Sequence, residues 1–514
     1  MFRLFRNLIR LAAIARTLAR HNAMPDAFPD VAPGLAFLWR IVANTRVSGR
    51  EGQRLAAALA ELGPTFIKLG QLLSTRSDVV GERMAADLAE LQDKLPPFPS
   101  REACLIVETE LGRPLTEMFL GFDEVPVAAA SIAQVHFAVT TEGEPVAVKV
   151  LRPNIERAFE RDIELFYWLA QWAERLWPKL KRLKPIEVVD TFARTSRLEM
   201  DLRMEAAAAS ELAQNFEGDR TFIIPKVNWD RTAQRVLTLQ RIAGIKVDEV
   251  DAITAAGYDR DEILTKASAS FFNQVFRDGF FHADLHPGNL FVVEDGNIAA
   301  VDFGIMGRLD RATRYYLADM LIGFLTGDYR RVALVHFEAG YVPAHQSIEL
   351  FTQACRAIGE PLQNKPLNEI SVGRLLAQLF AVTEQFQMET QPQLLLLQKS
   401  MLTAEGVGRI LNPNINMWEL ARPLIEEWMR ENRGLEAQIL DDAEAAVRTL
   451  RRLPMLVRDA ERVAAQIADG GLRLHPTTVR FLLDAWTRRR KAEQIALWVI
   501  AALLAFVAVE LARF

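Results

Sequence analysis

Apolar residues recur at helical spacing through most of this 514-residue chain, interrupted by short stretches of β pattern. Residues 2–20 predict an amphipathic helix in which Phe2, Phe5, Ile9 and Leu11 lie among Arg3, Arg6, Arg10, Arg16 and Arg20. Such a helix suits either an anionic membrane surface or the protein's own body, with its basic face solvated. Its apolar run is too short for a signal-peptide core. Residues 51–95 are again helical, broken at Gly63-Pro64 and ended by Pro96-Pro97. From Val125 to Val150 β-branched residues take over, and Thr141-Glu142-Gly143 predicts a hairpin turn. Helical patterns follow over 153–177 and 186–217, a strand pair near Val236–Arg241, and a helix over 258–280. Residues 281–304 read as a loop and hairpin, after which the pattern is almost wholly helical.

The terminal residues stand apart. Ile495 to Val509 holds no polar side chain, and Arg488, Arg489, Arg490 and Lys491 precede it. Nineteen helical residues at about 1.5 Å each approach the roughly 30 Å of a hydrocarbon core. The basic cluster would face the cytoplasm. The expectation is a single C-terminal transmembrane helix rather than a buried core helix, since one apolar on all sides needs much protein to cover it.

Composition narrows the class. Half the residues are apolar and a quarter charged, the profile of a folded chain, and a net charge of -5 excludes a globally basic nucleic-acid coat. Cys104 and Cys355 are the only cysteines. They form no disulfide framework or metal-ligand spacing, which favours a reducing compartment.

The chemistry concentrates in His282-Ala283-Asp284-Leu285-His286-Pro287-Gly288-Asn289, followed by Asp302-Phe303-Gly304. Asp284 and Asn289 have the spacing of a kinase catalytic loop. An apolar strand, a Glu-Asp-Gly-Asn turn and a second strand would return Asp302 to Asn289. ATP phosphates require Mg²⁺ held by hard oxygen ligands, which Asn289 and Asp302 would supply. Asp284 would orient or deprotonate the attacking hydroxyl or water. His282 and His286 lie four apart, yet no third nitrogen or sulfur ligand is evident nearby; bracing of the loop by hydrogen bonds is the better reading. Val146-Ala147-Val148-Lys149-Val150 places a lysine in an apolar strand, where it needs a partner or a phosphate. Glu205, in the helical run Arg197–Glu211, is the candidate partner. Where a glycine-rich phosphate loop would stand, the chain reads Ala128-Ala129-Ala130-Ser131-Ile132-Ala133-Gln134 after Pro126-Val127. Alanine resists positive φ, so this nucleotide-binding loop should be stiffer.

These residues resemble the UbiB/ADCK family of atypical kinases over most of the chain. Besides the alanine-rich loop and His282–Gly304, the match lies in Gly63–Arg76, which carries a Lys-x-Gly-Gln signature at Lys68 and Gln71, and in Glu199-Met200-Asp201 with Glu205 after it. The resemblance implies an α+β, two-lobed protein-kinase-like fold with a helical N-terminal extension. That extension would close over the site as a lid bearing Lys68 and Gln71, with Glu199 and Asp201 nearby. The implied organisation is a basic helix over 1–24, the extension over 25–122, an N-lobe over 123–245 and a helical C-lobe over 246–480. A basic stretch and the transmembrane anchor would occupy 481–514. Family members often end in two spans, whereas this chain has room for one. Its hinge, Leu237-Thr238-Leu239-Gln240-Arg241-Ile242-Ala243-Gly244, lacks the acidic residues commoner there.

The implied function is that of a membrane-associated kinase or ATPase, a phosphotransferase using ATP and Mg²⁺ in support of ubiquinone (coenzyme Q) biosynthesis. Its location would be the bacterial inner membrane, with the catalytic domain facing the cytoplasm. The alternatives are a protein kinase acting on membrane substrates and a nucleotide-binding scaffold for ubiquinone enzymes. After Gly304 no Ala-Pro-Glu activation segment follows, which disfavours a peptide substrate. Expected partners are membrane lipid and ubiquinone-biosynthesis enzymes or quinone precursors, not nucleic acid; a homodimer stays open.

Overall fold

The computed structural model describes residues 2–23, 47–74, 80–89, 91, 95–176, 185–362, 382–383, 385–388, 391–414 and 417–433. One compact unit covers residues 1–430; the second, 431–514, falls almost wholly outside the described residues.

Helix α1 (Phe2–Arg20) packs against α2 (Glu51–Leu62). Ile14 is buried there, while Phe5, Leu8 and Ile9 face outward. Arg10 donates twice to buried Asp162, at 2.9 and 3.0 Å, and Arg6 pairs with Glu164. The basic face thus binds the protein's own acids. Gly63 breaks the pattern at φ 105°, and Pro64 opens α3 (Pro64–Ser74), as proline at a first helical position does. Phe66 and Ile67 sink into the core and leave Lys68 on another face. Helices α4 (Glu82–Ala89) and α5 (Ser100–Leu111) follow.

A five-stranded antiparallel sheet comes next: β1 (Phe119–Phe122), β2 (Ala128–Ala129), β3 (Ala133–Thr140), β4 (Pro145–Leu151) and β6 (Val236–Gln240), in the order β1-β3-β4-β6 with β2 on β3. Alternation along β4 sends Val146, Val148 and Val150 into a core shared with Ala103, Ile106 and Val107 of α5. Lys149 therefore points to the opposite face. The sheet begins earlier than the expected Val125. The pair expected near Val236–Arg241 is one strand, held by β4 and by isolated bridges.

Between β4 and β6 run α6 (Ile155–Leu176), α7 (Pro185–Glu199) and α8 (Leu202–Asn215). The helical stretch expected over 186–217 breaks at Met200-Asp201, because the Asp201 side chain accepts from Arg203 N and caps α8. After the short strands β5 (Phe222–Ile223) and β7 (Ile245–Lys246), α9 (Arg260–Phe272) runs into a π-helical turn, Asn273–Asp278. Strands β8 (Phe280–His282), β9 (Leu290–Val292), β10 (Ile298–Ala300) and β11 (Met306–Arg308) carry the chemistry. The β9–β10 hairpin forms as expected, turning through Asp295 and Gly296 at φ 60° and 64°. Helices α10 (Arg311–Thr326), α11 (Tyr329–Glu338), α12 (Ile348–Gly359), α13 (Pro392–Leu411) and α14 (Met417–Arg433) complete the described chain.

The expected C-terminal transmembrane helix, and with it the single inner-membrane span of the expected location, must be corrected. No helix among the described residues is long and apolar enough to cross a membrane, and residues 481–514 lie outside them. Even α6, at 22 residues, carries Glu156, Arg157, Glu160, Arg161 and Glu164 among its apolar positions, a pattern for packing on protein rather than facing lipid. The fold class retained is α+β with a helical N-terminal extension.

Candidate active site

Three separate elements meet at Lys149. Its Nζ donates to both carboxylate oxygens of Glu205 in α8, each at 2.9 Å, and to Asp302 Oδ1 at 2.7 Å. Burial opposes the charge on Lys149, but Asp302 and Glu205 outweigh it and hold the ammonium above its ordinary range. Lys149 in turn holds Asp302 well below the usual carboxylate range, with burial opposing and Lys68 adding a smaller pull. Glu205 moves the other way: burial raises it and Asp302 adds to the rise, although Lys149 pulls it down. One cation shared by two acids leaves Asp302 the better anion.

Lys68 of α3 pairs with Glu199, the last residue of α7, at 2.9 Å, and its charge reaches Asp302. The extension is thereby tied to the site. Asp201 turns elsewhere, to Arg203 at 2.7 Å.

The catalytic-loop side is organised by hydrogen bonds. His282 is fully buried; its Nδ1 accepts from Asp284 N at 3.1 Å and its Nε2 donates to Val301 O at 3.2 Å. Those two bonds fix the tautomer, and burial pushes the ring's pKa down. Gln274, in the π-helical turn, accepts from His282 N at 2.9 Å. A π-turn commonly marks a functional region. Asn289 Nδ2 donates to Asp284 O at 3.0 Å, and Asn289 O accepts from Val301 N at 2.9 Å. Asn289 is therefore bonded directly to the backbone of Asp284 and to that of Val301, the residue before Asp302. His286 Nδ1 accepts from Gly288 N at 2.9 Å, so both histidines brace the loop. Asp302 itself sits at φ 66°, a left-handed conformation sparsely populated outside glycine.

The alanine-rich segment is a tight turn, with Ala128 opposite Val135 and Ala129 opposite Gln134. Arg152 donates to Ala130 O at 2.8 Å, and Ser131 and Ile132 are buried. Gln134 is occupied with Phe98 and His136, accepting from Phe98 N at 3.0 Å. A cavity of about 350 Å³ between Phe216, Arg220, Glu294 and Asn297 shares no residue with this site.

One contact was not anticipated. Lys399 of α13 donates to Asp284 Oδ1 at 3.0 Å. Its only signal in the sequence is a charge following Leu394-Leu395-Leu396-Leu397, which reads as the solvated edge of an apolar helix.

Comparison with known proteins bears on the family and the fold. A family model described as ABC1 atypical kinase-like domain matches residues 90–336, and one described as UbiB helical domain matches residues 355–416. The curated "Probable protein kinase UbiB" of Marinobacter nauticus is 43% identical over 429 residues, 82% of this chain and 78% of that protein. Among solved structures, that of Rv3197 from Mycobacterium tuberculosis in complex with erythromycin aligns with a TM-score of 0.50 at 25% identity, covering 71% of this chain and 93% of that one.

Proposed function

The chain belongs to the UbiB family of atypical kinases, and from that premise we propose that it binds ATP with Mg²⁺ and uses it in support of ubiquinone biosynthesis, by ATP hydrolysis or phosphorylation of a small molecule. The carrying observation is Lys149 held simultaneously by Glu205 and Asp302. A lysine so fixed suits the α- and β-phosphates. The depressed Asp302 carboxylate and the Asn289 amide oxygen are hard donors that fit Mg²⁺, which would neutralise charge on the phosphates. The backbone of Ala128–Gln134 would cover the nucleotide, and Lys68, Gln71, Glu199 and Asp201 would form the lid region.

Asp284 has the task of orienting the acceptor and taking its proton. As the acceptor oxygen bonds to the γ-phosphorus, the bond to the bridging oxygen breaks and ADP leaves; with water as acceptor the other product is phosphate. Gly304 leads through β11 into α10 at Arg311, a link too short for a peptide platform, which supports a small acceptor or water. The outward Phe5, Leu8 and Ile9 of α1 support contact with a lipid surface, and with ubiquinone enzymes or quinone precursors gathered there. A relative bearing the name of a protein kinase favours a second reading, phosphorylation of a membrane-associated protein.

Purified protein incubated with labelled ATP, Mg²⁺ and lipid vesicles separates them. Free labelled phosphate, or label on a small molecule, is the expected product. Label on a protein acceptor supports the second reading, and no Mg²⁺-dependent turnover contradicts both.

A further inference from the structure

The catalytic loop carries no lysine or arginine of its own between Asp284 and Asn289. Lys149 is engaged by Glu205 and Asp302. The cation that meets Asp284 comes instead from α13, 115 residues further along the chain. Helix α13 is no loose neighbour. Leu397, Val407 and Leu411 are buried in the core shared with Phe271, Leu285 and Leu290. A crevice of only about 20 Å³ is lined by Ala404 and Val407 together with Leu285 of the loop and Leu290 of β9. This packing fixes the backbone from which Lys399 reaches, while its side chain remains 44% exposed and that of Asp284 29% exposed.

We propose that Lys399 is a positioning residue for phosphoryl transfer, so that the helical domain completes the active site. Its ammonium holds the Asp284 carboxylate toward the acceptor. It also places positive charge beside the path of the transferred group. A carboxylate held in place beside a cation suits a reaction whose loose transition state depends heavily on alignment and charge neutralisation. The inference rests on the function proposed above.

The test uses the full chain and the variants Lys399→Met and Lys399→Arg, measured for MgATP turnover and separately for MgATP binding by calorimetry. Lys399→Met should lower kcat by about 10- to 100-fold while KM and Kd for MgATP stay within about twofold, and Lys399→Arg should restore part of the loss. In an Asp284→Asn background, Lys399→Met should remove almost nothing more, because the two residues act as one unit. A merely structural lysine would instead lower melting temperature and binding together. Unchanged kcat in Lys399→Met, a parallel loss of binding, or full additivity with Asp284→Asn overturns the proposal. Should the Met variant not fold, a Lys399→Arg variant with no partial activity overturns it equally. A parent without Mg²⁺-dependent turnover contradicts the function itself; an active parent with an indifferent Lys399 contradicts only this inference.

Discussion

The two halves of the site are built on different physics. Around Lys149, charges from β4, α8 and the segment after β10 neutralise one another over sequence separations of 56 and 153 residues. Around Asp284, the backbone is ordered by hydrogen bonds inside one short stretch: His282 to Asp284 N and Val301 O, and Asn289 to Asp284 O. The first half is an electrostatic receptor, whose parts are costly to leave unpaired. The second is a geometric template, whose parts mainly decide where an acceptor sits. Damage to the first should appear in binding, and damage to the second in turnover.

The largest expected effect breaks the receptor. Lys149→Met leaves Glu205 and Asp302 facing each other without their cation. MgATP affinity should fall at least about 100-fold, and stability by roughly 3 kcal/mol, mainly through the buried Glu205 left unpaired, since the half-exposed Asp302 is screened by water. Calorimetry and thermal melts check this; intact binding with lost turnover would erase the distinction between the halves.

A smaller effect probes the template. His282 has its pKa lowered by burial, so its contribution is fully present above its unfolded value near 6.5 and is lost as pH falls through the folded one. At pH 7, His282→Asn should cost about 1–2 kcal/mol through lost hydrogen bonds. The gap between parent and variant melting temperatures should narrow from pH 7 to pH 5. Parallel curves would mean that the ring does not titrate with unfolding.

The smallest effect sharpens the receptor's boundary. Glu199→Gln removes the negative partner of Lys68, whose charge reaches Asp302, so MgATP should bind about fivefold more tightly, with the change reduced at high salt. Weaker binding would place Lys68 outside the phosphate field.

Legibility in the sequence followed the same division. Asp284, Asn289 and Asp302 stood out because the template is local: a hairpin with an Asp-Gly turn returns the chain over a dozen residues. Lys149 was legible as a charge among valines in a central strand. Glu205 was not separable from an exposed helical acid without its family context, since a helical register alone does not say which residue faces a lysine 56 positions earlier. Asp201 and Gln134 were grouped with the site, yet their side chains serve a helix cap and the Phe98 backbone. The first is a local competition two residues along the chain and the second a contact 36 residues away, and spacing reveals neither. Lys399 was missed because tertiary packing alone brings α13 to the loop. The residues expected to form a C-terminal span lie outside the described chain, and the described helices, α6 among them, carry charged faces that suit packing on protein.

The most direct test of the division is a calorimetric MgATP titration of Asp302→Asn beside Asp284→Asn, with turnover measured on the same samples. The account predicts that Asp302→Asn loses Mg²⁺-dependent binding at least about 100-fold. Asp284→Asn should bind within about twofold of the parent, yet turn over about 10²- to 10³-fold more slowly. Two variants that bind and turn over MgATP like the parent would contradict it.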